Sequence, residues 1–455
     1  MGVSIWEGNK AERVAGALES LALSMAGSAA DAQNWKGVQN LVRAGMGAKA
    51  FPVGTQFLVE KETSLSASLG AHTGITAATV TEETFLAAEG VVGSGLHEFK
   101  FDGAVWIYNG EPVNLATYGI GVTGTPAEGD EILITEAFQN ILFDVVDHRT
   151  VTDPVDGVSK PAMILMMHHV IYGRPVDEPE ALIYAAEAIA AGSYKFKCVN
   201  DPWTSGNNDK YFYFTLAQAV PAGGQIVVSA AYNAALSGCT VKTYSGPSST
   251  TAIETTTLSD TEIADATDLG TCRSGNVNDI ARAKVGSNNY KESALRQWIN
   301  SKAAANGWWA GTNIFDRPSS YANQAGLLHG MDADFLAVVR AITVACKTNN
   351  AFELSGWTLN TAYSVEDKFF LASRDELGWG TENVAEGSVF KAYNGAANVD
   401  RIKYDLSAQS TARYWWLRSP YPSSASGVRY VGTDGSLGYD LATYGLGAVA
   451  ACAIL

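Results

Sequence analysis

Along this chain the apolar positions change their spacing several times, and each change predicts a different element. Val14, Leu18, Leu21 and Met25 recur at spacings of four, three and four. That is the seam of a helix over residues 11 to 26, able to pair chains in a short coiled coil or to pack on the chain's own body. A second helix is expected from a cap near Asp31 to Ala44, with Trp35, Val38, Leu41 and Val42 on one side. Phe51-Pro52-Val53-Gly54 then turns the chain into a strand over Thr55 to Glu60. From about residue 64 to 134 short alternating segments predict strands, with Asp102-Gly103 and Asn109-Gly110 as hairpin turns. This stretch reads as a small β insertion, because Thr55 to Glu60 and Ile141 to Asp147 suit one sheet.

Further on, Met163 to Val170 is an apolar run carrying His168-His169. Leu182 to Ala190 reads as a short helix or a strand edge. Residues 192 to 272 alternate as a β-sandwich, with strands at Ser193 to Val199, Tyr211 to Leu216, Gln225 to Ala231 and Thr240 to Tyr244, and a turn at Pro221-Ala222-Gly223-Gly224. Beyond Asn276 the period changes to that of helices. Ser293 to Ser301 carries Leu295, Trp298 and Ile299 on one face, and Asp332 to Val344 carries Phe335, Val338, Val339 and Ile342 behind a cap at Asp332. The expected class is α+β, β-rich and multidomain. Residues 1–50 form a helical oligomerisation or docking segment, 51–180 a β domain with its insertion, 181–275 the sandwich and 276–455 a C-terminal domain.

Composition narrows this picture. With 455 residues, 47% of them hydrophobic, the chain can bury several cores; 45 glycines and only 17% charged residues favour turn-rich β structure. A formal charge of −16 argues against nucleic acid or anionic membrane as a partner held by a positive field. Cys198, Cys239, Cys272, Cys346 and Cys452 are odd in number and widely spaced, so free buried thiols are expected. No apolar run spans a bilayer. Glu19 interrupts the Ala15 to Ala30 stretch that mimics a signal sequence, and Trp6 stands where a myristoylation signal needs Ser or Thr.

The last forty residues are the most informative. Tyr414-Trp415-Trp416-Leu417-Arg418-Ser419-Pro420 opens a stretch made almost wholly of Tyr, Ser, Gly, Asp, Thr, Ala and Leu, and a small apolar strand, Ala448 to Leu455, closes it. Tyr supplies contact area with few rotors, and Ser, Gly and Asp supply adaptable hydrogen bonding. An ordinary turn-rich β region has a similar composition. The frame of WWLRSP, Ala425, Val428-Arg429, Val431, Asp434-Gly435-Ser436-Leu437, Ala442, Gly447 and the closing Ala-Cys resembles the variable region of proteins diversified by retroelements in phages and prophages. Segments 289–298, 367–374 and 401–404 extend the resemblance over about the last 180 residues. Tyr118 to Pro126 with Gly129-Asp130 also resembles small β modules of phage tail proteins.

That family implies a C-type lectin fold and ligand binding without catalysis. Its varied positions match Tyr421, Ser424, Ser426, Gly427, Tyr430, Gly432, Gly438, Tyr439, Asp440, Leu441, Thr443, Tyr444 and Leu446. Each of these residue types is reachable from the codon AAC by changing adenines; Lys, Glu, Gln, Met and Trp are not, and none stands at these positions. The fixed scaffold matches Trp415, Trp416, Leu417, Arg418, Val428 and Arg429, with both arginines expected to clamp loops. Tyr421, Tyr430, Tyr439 and Tyr444 are the expected outward anchors, with Asp440 and Ser424 supplying polarity. The resemblance further implies a homotrimer on a phage tail or prophage particle. It would dock to a tail or baseplate protein through its N-terminal region and grip a bacterial surface protein or glycan, with no cofactor.

Other chemistries fit less well. The acid pairs Asp332/Asp334, Asp375/Glu376 and Asp144/Asp147 suggest a particle-borne glycan hydrolase, but each reads more simply as a cap or solvated face. His148, His168 and His169 invite a metal, yet adjacent residues on a strand face opposite ways. Trp203 and Tyr211-Phe212-Tyr213-Phe214 suggest a carbohydrate platform or, more simply, a core. Cys272 and Cys346 stand in no oxidase pattern. There is no GxSxG elbow, P-loop or HExxH. A purely structural tail component remains the third class.

Overall fold

The computed structural model describes residues 34–81, 84–85, 88, 96–138, 140–199, 201, 204–231, 233–271, 279–347, 362–422, 424 and 426–455. The seam at Val14 to Met25, Asp31, Trp203, Cys272 and Ala425 lie outside them. The described chain is β-rich with few helices, and its buried apolar residues fall into three clusters.

The largest cluster surrounds a six-stranded sheet whose central strand is Ala450–Ile454. Ser159–Met167 pairs antiparallel with one edge of it, and Val339–Arg340 and Phe369–Leu371 share the other. Small side chains make this position possible: Ala450, Ala451, Cys452, Ala453 and Ile454 are wholly buried, with layers packed on both faces. Gln56–Val59 pairs with Ile141–Thr152, as the matching patterns of residues 55–60 and 141–147 predict. Residues 35–59 and 141–176 thus share one core with residues 290–455, and the segment drawn above as a β domain over 51–180 is joined strand by strand to the C-terminal part.

Helix Trp35–Arg43 is capped by Asn34, whose side chain accepts from the Gly37 amide at 3.0 Å. Its Trp35, Val38, Leu41 and Val42 are buried, and the Trp35 indole donates to Asp332 Oδ2 at 2.9 Å. From the same helix Gln39 and Arg43 donate to the Leu455 carbonyl at 2.8 and 3.0 Å, tying it to the chain's last residue.

One predicted helix is shorter than its pattern. Asp332 caps Ala333–Val338, but the chain then enters strands Val339–Arg340 and Ile342–Lys347. The β-branched run Val339, Ile342, Thr343 and Val344 suits a pleated surface, and the partner strand Ala362–Asp367 and the central strand are there to pair with it.

The insertion forms its own cluster around Phe85, Phe99, Tyr108 and Ile132, beneath a five-stranded sheet. Asn109 and Gly110 take positive φ values of 50° and 84°, as a two-residue hairpin turn requires. The third cluster fills a sandwich: one sheet holds Ile183–Tyr184, Gln225–Ser229, Thr240–Tyr244 and Glu254–Thr257, the other Tyr211–Leu216, Gly192–Lys197 and Thr267–Thr271. Phe196, Phe212, Phe214, Ile226, Val228 and Val241 meet between them. Of the aromatic run only Tyr211 is exposed, so these rings make a core and not a platform.

Candidate ligand-binding face

The C-terminal stretch folds as a three-stranded antiparallel sheet, Trp415–Pro420, Gly427–Val431 and Leu437–Leu441. Its first strand is entirely buried. Trp415 donates its indole N–H to the Arg401 carbonyl at 3.2 Å and Trp416 to the Arg174 carbonyl at 2.9 Å, so each ring is packed and its one donor is paired. Arg418, also buried, donates to the carbonyls of Ala345, Leu371 and Glu386 and to the Glu376 carboxylate at 2.6 Å. Val428 and Val431 are buried on the second strand.

The outer side is built around Tyr439. This residue faces Arg429 across the ladder, and its ring lies 3.6 Å from that of Tyr421 with planes 7° apart. The Arg429 guanidinium stands 4.8 Å from the Tyr421 ring centre and 6.0 Å from that of Tyr439. It is braced by Glu382 at 2.5 Å, and Glu382 also reaches Arg374 at 3.3 Å. The result is a stacked aromatic pair fixed from the side by a paired cation. Tyr439 is 51% exposed and Tyr444 45%. A hydrogen bond to the neighbouring Tyr421 pushes the Tyr439 phenol above its ordinary range. Burial raises the Asp440 carboxyl although it accepts from the Leu441 amide at 2.9 Å.

The other varied positions divide. Leu441 and Thr443 are half-buried. Ser426, Gly427, Gly432 and Leu446 are buried, contrary to the expectation that varied side chains project outward. Ser424, half-buried, accepts from the amides of Ser426 and Gly427 at 3.1 and 3.0 Å, closing a local turn that turns Ser426 inward. Tyr430 is likewise not an outward anchor. Its ring packs edge-on against Tyr414 at 5.2 Å and Trp416 at 6.4 Å and lies across Gly438, where a Cβ would come within 2.4 Å of it. Gly435 turns the next loop at φ 77°, where a Cβ would meet the Asn398 carbonyl.

Asn288, Glu382 and Arg374 belong to the site; Asn288 and Glu382 carry no signal in sequence, and Arg374 closes the 367–374 segment of the resemblance without its role being legible there. Asn288 donates to the carbonyls of Ser424 and Gly427 at 2.6 and 2.9 Å, pinning the loop below Tyr421 from a segment far away in the chain.

The acids weighed above as catalytic pairs are engaged elsewhere. Asp332 caps its helix. Asp375 accepts from the Glu386 amide and Glu376 pairs with Arg418. Asp147 pairs with Arg149, and Asp144 with His168 at 2.8 Å. His168 and His169 do not face opposite ways: the strand ends at Met167 and the chain bends, bringing their rings into edge contact at 4.7 Å. Among the described residues no group of three or more His, Cys, Asp or Glu is placed to hold a metal, and no helix is long and apolar enough to cross a membrane.

Residues 253–454 match the model of a family described as a domain of unknown function, DUF6273. The match takes in the whole three-stranded sheet and its bracing residues. No curated protein and no solved structure matches the chain.

Proposed function

We propose that this chain is a receptor-binding protein of a phage or prophage particle, and that its C-terminal region is a C-type lectin-like domain whose outer face is varied by a retroelement. It does no chemistry of its own; it grips a protein or glycan on a bacterial surface. The observation that carries this reading is the stack of exposed Tyr439 on half-buried Tyr421, braced by Arg429 and Glu382 on a sheet whose first strand is wholly buried. A rigid, amphipathic aromatic surface of this kind binds at low entropic cost, and its outer side chains change without disturbing the core. Presentation as a homotrimer, docked through the N-terminal region, would add avidity on a repetitive surface.

The test is adsorption of the purified chain to a panel of bacterial cells. The Tyr439→Ala/Tyr444→Ala double variant should lose binding while its unfolding midpoint holds. Release of reducing ends from cell-wall glycan would replace the reading with hydrolysis, and a wild-type chain that binds no cell would leave a structural tail component. Sequencing the coding DNA of residues 414–455 across many genomes, with a search for an adenine-matched near-copy beside a reverse transcriptase, tests the diversification. A monomer at micromolar concentration by solution mass measurement would remove the trimer.

A further inference from the structure

A cleft lies away from the tyrosine face, between the sandwich and the main body. Ile226, Val228, Val241 and Thr243 turn into the sandwich, so the alternation of strands Gln225–Ser229 and Thr240–Tyr244 places Val227, Ser229, Lys242 and Tyr244 on the outward side. The register sets Val227 opposite Lys242 and Gln225 opposite Tyr244. Glu178-Pro179 and Arg317-Pro318-Ser319 supply the facing wall, and the space between is about 390 Å³. That is within the usual range of small-molecule sites, which favour such junctions.

The cleft is pre-organised. Arg317 lies 3.6 Å from the Tyr244 ring centre. It donates to Gln225 Oε1 at 2.8 Å, to the carbonyls of Gly246 and Pro247, and to the Ser249 carbonyl at 2.7 Å. Its N–H donors are therefore engaged by neutral protein oxygens, and its role is to hold the aromatic wall. Glu178 accepts from the Ser320 amide through Oε1 at 2.7 Å, and burial pushes its carboxyl up. A half-buried carboxylate lining a cleft has acceptor capacity for a hydrogen-bond donor on the occupant. Lys242, on the exposed side of its strand, offers a donor.

We propose that this cleft binds a neutral saccharide ring: Glu178 accepts from ring hydroxyls, Lys242 donates to a hydroxyl or ring oxygen, and Tyr244 with the prolines packs on its C–H face. Arg317 spends its donors on protein oxygens, so the cleft offers the occupant one acceptor, Glu178, and one donor, Lys242, the combination that a hydroxyl-bearing ring satisfies. Serine and threonine hydroxyls at the rim over flat apolar walls match a ring that is polar at its edge and apolar on its faces. The proposal does not rest on the tyrosine face.

The experiment is saturation-transfer NMR on the full chain with methyl glycosides of glucose, galactose, mannose and N-acetylglucosamine. At least one should bind saturably, and Glu178→Gln and Lys242→Ala should each weaken it about tenfold, the loss of one charge-assisted hydrogen bond. Tyr439→Ala/Tyr444→Ala should leave it unchanged. Lys242 stands on an exposed strand face, so its variant keeps the test open should Glu178→Gln fail to fold. No saturable glycoside, binding indifferent to both variants, or binding of glycine and diglycine in place of glycosides would each overturn the proposal.

Discussion

Two tyrosines on neighbouring strands, both at positions that match varied residues, should respond to the same substitution in opposite ways. Tyr439→Ala removes a ring that is half in water and loses its stack with Tyr421, a contribution of about 0.5 to 1.5 kcal/mol at most for an aromatic pair. Tyr430→Ala removes a ring packed on Trp416 and Tyr414 and laid over Gly438. Full burial of such a ring costs about 3 to 5 kcal/mol on truncation. Tyr430 is partly exposed, so about 2 kcal/mol is expected, and Gly438 cannot fill the space left. Urea unfolding followed by tryptophan fluorescence reads the main core through Trp298, Trp415 and Trp416. The midpoint of Tyr430→Ala should fall clearly below that of Tyr439→Ala at an unchanged slope. In the adsorption assay the order should reverse, with Tyr439→Ala the more damaging at temperatures where both fold. Equal destabilisation by the two, or a larger cost at Tyr439, would refute the assignment of inner and outer rings.

Arg418→Met should cost about 3 to 5 kcal/mol in the same unfolding assay, because it strands the buried Glu376 carboxylate and three carbonyls at once; a loss under about 1 kcal/mol would contradict its clamping role. Burial pushes the Cys346 thiol up to about 12 and the Cys452 thiol higher still. Iodoacetamide at pH 8 followed by peptide mapping should therefore leave both unmodified until the chain is unfolded. Burial raises the Glu386 carboxyl from 4.5 to about 7, so the folded state holds a proton that the unfolded state has released between those values. Stability should decline as pH rises from about 4.5 to 7, and Glu386→Gln should flatten that decline in thermal melts; an unchanged slope would show that Glu386 does not carry it.

What the sequence determined by itself was local. The 3.6-residue period marked Trp35, Val38, Leu41 and Val42 as one buried face, Asp332 announced a helix start, and Asn109-Gly110 announced a turn, because periodicity and turn chemistry act over a few residues. The apolar block Trp415-Trp416-Leu417 was legible as buried for the same reason. Local pattern misled where two periods overlapped: Phe335, Val338, Val339 and Ile342 keep helical spacing, yet the strand Ala450–Ile454 was waiting to pair with Val339.

Only the tertiary structure decided the rest. It joined Met163–Met166 to Ala451–Ile454 in one sheet, across almost three hundred residues that no local window spans. It brought Glu382 to Arg429 and Asn288 to the Ser424 loop. It also chose between two tyrosines of the same residue type and the same pattern, packing Tyr430 on Trp416 and leaving Tyr439 in water. Which face of a sheet is covered depends on what the remainder of the chain lays against it, and alternation along one strand carries no record of that.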